Sequence, residues 1–126
     1  MNKYLVPMLL LLTTSLALSC GNSSNNRHLQ SISIQAVANG QQIQFVATGT
    51  FSASPSTVSP LAVSWSFAPP PGQYALSSQP FTFQCNFSGP YPSPLIAWAP
   101  ADPNAPSSGS FSGTKMITAS TPIACP

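Results

Sequence analysis

The stretch "SPLAVSWSFAPPPG", residues 59 to 72, constrains the fold more than any other part of the chain. Leu61, Val63, Trp65 and Phe67 alternate with Ala62, Ser64 and Ser66, and a period of two places successive side chains on opposite faces of an extended strand. A helix would scatter the four large side chains around its circumference. Residues 61 to 67 therefore read as a half-buried strand, stopped by Pro69, Pro70, Pro71 and Gly72. The same period recurs upstream. In "LQSISIQAVANG", Ile32, Ile34 and Ala36 alternate with Ser31, Ser33 and Gln35, and the Asn39-Gly40 pair supplies a turn. In "QQIQFVATGTF", Ile43, Phe45 and Ala47 alternate with Gln42 and Gln44, and Gly49 marks a bend or the end of the strand.

Downstream, "QPFTFQCNF" puts Phe81, Phe83, Cys85 and Phe87 on one face of an extended segment. The run Leu95 to Trp98 sits among prolines in "SGPYPSPLIAWAP" and reads as an edge strand, because proline has no N–H to give to a central ladder. A last strand covers about 114 to 120 and resumes at 123 to 125 beyond Pro122, with Ile117, Ala119, Ile123 and Cys125 on one parity. No helical periodicity of useful length follows the amino-terminal leader. Short strands separated by turn chemistry predict an all-β fold, a sandwich of roughly a hundred residues.

Composition decides whether such a chain folds at all. Only 3% of its 126 residues are charged, namely Lys3, Arg27, Lys115 and Asp102, against roughly 25% in an average soluble protein. Hydroxyls and amides must solvate the surface. The 43% of hydrophobic residues, with two Trp and seven Phe, argue for a packed domain and confine disorder to the loops. Nucleic-acid binding is disfavoured. Beyond the leader, Arg27 plus Lys115 minus Asp102 leaves a net charge of +1, too little to neutralise a row of phosphates.

Residues 1–19, "MNKYLVPMLLLLTTSLALS", have the organisation of a cleaved signal peptide: Lys3 near the start, an apolar run centred on Leu9 to Leu12, then small residues. A permanent transmembrane helix would need about 20 apolar residues, and Thr13, Thr14 and Ser15 interrupt the run. The junction "ALSC" at 17 to 20 resembles the lipobox of bacterial lipoproteins. The resemblance implies a Cys20 that is diacylated and becomes the new amino terminus, anchoring the protein to a membrane, and Gly21 in place of Asp implies the outer membrane. The usual Leu three residues before the cysteine is Ala17 here. Ala17 and Ser19 also suit an ordinary leader-peptidase site, which would make the protein secreted. Residues 20–28, "CGNSSNNRH", lack periodicity and apolar content, as a flexible polar tether should. Residues 29–126 form the domain.

Three cysteines in an exported chain leave one odd. Lipidation of Cys20 removes the oddness and leaves Cys85 and Cys125, whose shared inward parity and oxidising surroundings favour a disulfide over two reduced buried thiols. No metal or cofactor is expected, because two thiols with a lone His28 and a lone Asp102 do not make the usual zinc or calcium ligand sets.

Four pieces in order, "LQSISIQ", "QQIQFVATGTFS", "VSWSF" and "SGTKMITAS", resemble successive strands of the bacterial immunoglobulin-like domains across most of residues 29 to 121. The resemblance implies an immunoglobulin-like β-sandwich. Trp65 precedes both cysteines, so the Cys, Trp, Cys order of antibody domains is not implied.

An enzyme needs an acid, a base or an activated nucleophile, and past the leader the chain offers one His, one Asp and no Glu. His28 sits in the tether, and Asp102 before Pro103 is a turn former, so no catalytic residue is assigned. Two classes remain: an adhesion or binding module for an envelope protein or glycan, and a structural spacer with no soluble ligand. For the first, Tyr74, Tyr91 and Trp98 are the candidate binding residues, as amphipathic rings beside rigid proline loops. The rival reading has these rings capping the open ends of the sandwich.

Overall fold

The computed structural model describes residues 27–67 and 72–126. These residues form eleven strands: β1 (Leu29–Asn39), β2 (Gln42–Phe51), β3 (Thr57–Val58), β4 (Ser64–Ser66), β5 (Gln73–Ala75), β6 (Phe81–Gln84), β7 (Gly89–Pro90), β8 (Leu95–Pro100), β9 (Ser108–Ser110), β10 (Met116–Thr121) and β11 (Ala124–Cys125). Among the described residues there is no helix, and every pairing is antiparallel. The Asn39-Gly40 turn signal closes the β1–β2 hairpin, with Gly40 at φ 64° where a side chain would be strained.

β2 lies at the centre of the first sheet, between β1 on one edge and β3 and β6 on the other. The second sheet has the order β10-β8-β4. Leu29, Ile32, Ala47 and Phe51 from the first sheet pack in one cluster with Ala97 and Ala99 from the second, so the two sheets face each other across a shared core. That layering is consistent with a β-sandwich. A second cluster joins Ile43, Phe45, Cys85, Leu95, Ile123 and Cys125. Phe45, Leu95, Ile123 and Val63 are the largest fully buried side chains, each contributing about 1.5 to 3 kcal/mol by its removal from water.

Four sequence expectations are corrected by this arrangement. Residues 61 to 67 form a shorter ladder than their alternation predicts, because the segment changes partners as it runs. Leu61 N donates to Ala47 O of the first sheet at 2.8 Å, Val63 bridges Ser77, and only Ser64–Ser66 pair with β8 in the second sheet. The side chains keep their inward parity: Leu61 and Val63 are buried, while Trp65 and Phe67 pack against the core.

Gly49 neither bends nor ends β2. It lies inside the strand opposite Ile32 and Val58, and a Cβ there would come within 2.8 Å of Leu61 Cδ2 and 2.9 Å of Leu29 Cδ1. The glycine makes room for two leucines. The run Leu95 to Trp98 is not an edge strand but part of the centre of its sheet, with Leu95 and Ala97 at 0% exposure. Its prolines fall outside the ladder interior, Pro94 before the strand and Pro100 at its last position, so none removes a central N–H. Finally, the strand carrying Phe81 and Phe83 stops at Gln84, one residue before Cys85, and Phe87 lies beyond it at 42% exposure. Parity holds only while the strand continues.

The last segment behaves as its sequence indicates. β10 and β11 are separated by Pro122, with Ile123 and Cys125 buried.

Candidate functional site

Cys85 and Cys125 are joined in a disulfide with Cα atoms 5.7 Å apart. Cys85 is held by its backbone N–H, which donates to Gln41 O at 2.7 Å, and Cys125 by its pairing with Gly89 in the β7–β11 ribbon. The bond thus ties the β1–β2 turn region to the end of the chain. Cys20, the expected lipidation site, lies outside the described residues, as do the leader and residues 20–26 of the expected tether.

The last two tether residues belong to the domain. Arg27 donates from Nε and Nη2 to Pro55 O at 3.2 and 2.9 Å, and its guanidinium lies 3.7 Å from the Phe51 ring centroid, a cation–π contact. His28 exchanges bonds with Ser52, its N–H donating to Oγ at 2.9 Å and its carbonyl accepting from Ser52 N at 2.9 Å. Arg27 and Asp102 border an apolar cleft of about 350 Å³ floored by Leu29, Leu61 and Ala99. Both charged groups here are already hydrogen-bonded: the Asp102 carboxylate accepts from Asn104 N at 2.9 Å, the turn its sequence context indicates. The cleft lies where the chain enters β1, and neither Arg27 nor Asp102 has an ion-pair partner among the described residues.

The three candidate binding rings separate into two groups. Tyr74, on β5, faces Gly109 on β9, and the absent side chain of Gly109 leaves space for the ring, whose Oη would lie 3.4 Å from a Cβ there. Tyr74 is 5% exposed and its Oη donates to Pro106 O at 3.1 Å. Trp98, on β8, is half-buried and donates from Nε1 to Ser66 Oγ at 2.7 Å. Phe111 joins these two, 5.2 Å from the Tyr74 ring and 5.3 Å from that of Trp98. Tyr91 belongs elsewhere. It packs on Phe83 at 5.1 Å and Phe67 at 5.6 Å, and Phe87 stacks over it at 6.1 Å with an interplanar angle of 26°.

Phe87 is the residue that the sequence reading assigned to the interior and the structure brings to the surface. It borders a hollow of about 390 Å³ formed with Gln41, Cys85, Asn86, Ser88 and Pro126. No charged side chain lines it. Among the described residues the side-chain amides of Gln41 and Asn86 make no hydrogen bond, while Ser88 Oγ donates to Pro126 O at 3.1 Å. The hollow thus combines one exposed ring with free amide donors and acceptors. Its lining offers an aromatic ring, two side-chain amides and a serine hydroxyl, groups able to make ring contacts and hydrogen bonds. A signal for it did exist in the sequence: "NFSG" just past Cys85 is turn chemistry, which ends a strand.

Compared with known protein families, curated proteins and solved structures, the chain matches none. Any assignment of function rests on its own residues.

Proposed function

We propose that this chain is an exported lipoprotein, anchored to the outer membrane through Cys20, that displays one immunoglobulin-like module for non-catalytic binding of a neutral glycan or an uncharged protein surface in the cell envelope. The observation that carries the binding role is the hollow beside Phe87, where an exposed ring adjoins the unpaired amides of Gln41 and Asn86. A sugar presents apolar C–H faces and hydroxyls together, and a ring flanked by amides answers both. A partner recognised this way needs no charge, which suits a domain with almost none.

The anchoring role is supported by the Cys85–Cys125 disulfide, which accounts for two of the three cysteines and fits an oxidising compartment. Cys20, behind an apolar leader, is then the odd one. The immunoglobulin-like reading is supported by the division of strands, a sheet built on β1, β2 and β6 facing a sheet of order β10-β8-β4, as in four-plus-three sandwiches of that class. The pairing of β5 with β9 outside both sheets departs from it.

Phe87→Ala tests the binding role. The ring is outside the core, so its loss should leave the unfolding midpoint nearly unchanged while weakening retention on neutral envelope polysaccharide or on the crosslinked envelope partner. Retention equal to wild type defeats it. A second reading, a spacer without a soluble ligand, is favoured by the use of Tyr74 and Trp98 in packing, and it stands if neither Phe87→Ala nor Tyr91→Ala changes retention.

A further inference from the structure

Each β-sheet edge must be paired, covered or blunted, since its outward N–H and C=O groups form a template for another strand. Among the described residues most edges here are blunted. β3 and β4 are two and three residues long, β6 has four and follows Pro80, and β10 is bracketed by Lys115 and Pro122. β1 is different. It is eleven residues long and lies at the edge of its sheet, with β10 of the second sheet packed against it where Ile117 and Ala119 meet the Leu29 and Ile32 cluster.

The register fixes which of its backbone groups are free. Asn39 and Gln42 flank a two-residue turn, and the pair closing such a hairpin exchanges hydrogen bonds. Alternation then directs Val37, Gln35 and Ser33 toward β2, and turns the N–H and C=O of Ala38, Ala36 and Ile34 outward. The opposite side of β2 obeys the same parity, since Cys85 N donates to Gln41 O and the odd residues of β2 face β6. No backbone partner for Ile34, Ala36 or Ala38 on the outward side occurs among the described residues. From Ile32 to Asn39 the strand has no proline, no charge and no bulge, the register irregularity lying at its other end between Leu29 and Ser31. Val37, 61% exposed, stands on this edge as one of two exposed large apolar side chains among the described residues.

We propose that β1 is a homodimer interface, pairing antiparallel with β1 of a second copy about a two-fold axis at Ala36. In that register Ala36 faces the partner's Ala36, and Ile34 faces the partner's Ala38, so that each outward N–H and C=O gains a partner. Val37 falls opposite the partner's Gln35, whose aliphatic stem covers it. A second copy is the occupant that the edge fits. The strand Leu29–Asn39 carries no charge, Arg27, Lys115 and Asp102 sum to only +1, and alanine at the axis leaves no bulk between the two backbones. The contact is isologous and closes at two chains, because each chain offers one such edge among its described residues. The inference rests on the sheet geometry and is independent of the glycan-binding proposal.

The test uses the full chain in mild detergent. Sedimentation across a concentration series should show the wild type reaching twice the monomer mass, and Ala36→Lys, which sets two ammonium groups on the axis at an exposed position, remaining monomeric. Both proteins carry the same amino terminus, so association through the anchor affects them equally. In parallel, amide exchange at Ile34, Ala36 and Ala38 should slow as wild-type concentration rises and stay fast in the variant. A wild type that is monomeric throughout, an Ala36→Lys protein that still doubles in mass, or a dimer whose three amides exchange freely would each overturn the proposal.

Discussion

Tyr74 shows how one position distinguishes capping from binding. Its ring is enclosed by Phe111 and the space over Gly109, and its hydroxyl is held by Pro106 O. Tyr74→Phe removes one hydrogen bond and should cost about 1 kcal/mol, whereas Tyr74→Ala should cost about 3 kcal/mol or more by opening a cavity. Denaturant unfolding of both variants checks this, and a Tyr74→Ala midpoint equal to wild type would show that the ring is not structural. Gly49 makes the complementary case. Gly49→Val drives a branched side chain into Leu61 and Leu29 and should destabilise by about 1 to 3 kcal/mol through overpacking, read in the same experiment. The sequence leaves Tyr74 open between capping and binding, and leaves Gly49 open as well. A glycine in an alternating run reads equally as a bend or as a close approach, and only the positions of Leu29 and Leu61, distant in sequence, decide which.

At the scale of elements, the alternating runs locate strands well because the periodicity is a local property of the chain, and β1, β2, β6 and β10 all lie where their apolar parity puts them. Which strand is central and which is at an edge is a property of the sheet. That is why Leu95 to Trp98, marked by flanking prolines, was legible as a strand but not as the middle of one. The disulfide was legible for the opposite reason, since pairing follows from counting and parity. It closes a separation of 40 residues, so the paired replacement Cys85→Ala with Cys125→Ala should lower stability by about 4 kcal/mol in the chain-entropy view. Alkylation of the unreduced folded protein should leave both cysteines unlabelled. Labelling of both before reduction would remove the bond from the account.

For the molecule as a whole, the near absence of charge has a thermodynamic consequence. Arg27, Lys115 and Asp102 form no ion pair with one another among the described residues, and Arg27 is held by a carbonyl and an aromatic ring. Raising sodium chloride from low to physiological ionic strength should therefore move the unfolding free energy by less than about 0.5 kcal/mol, and a larger change would reveal electrostatics that the domain does not contain. The candidate binding surface was the least legible feature. Gln41, Asn86 and Phe87 are ordinary turn and strand residues in sequence, and only the fold brings Gln41 beside the segment after Cys85. The central claim, that this domain is carried on a lipid anchor, is tested most directly by the mass of the amino-terminal peptide of the mature protein from a bacterial host. A chain beginning at Cys20 with a thioether-linked diacylglyceryl group is the predicted result. A mature chain that begins elsewhere, or at an unmodified Cys20 thiol, contradicts it.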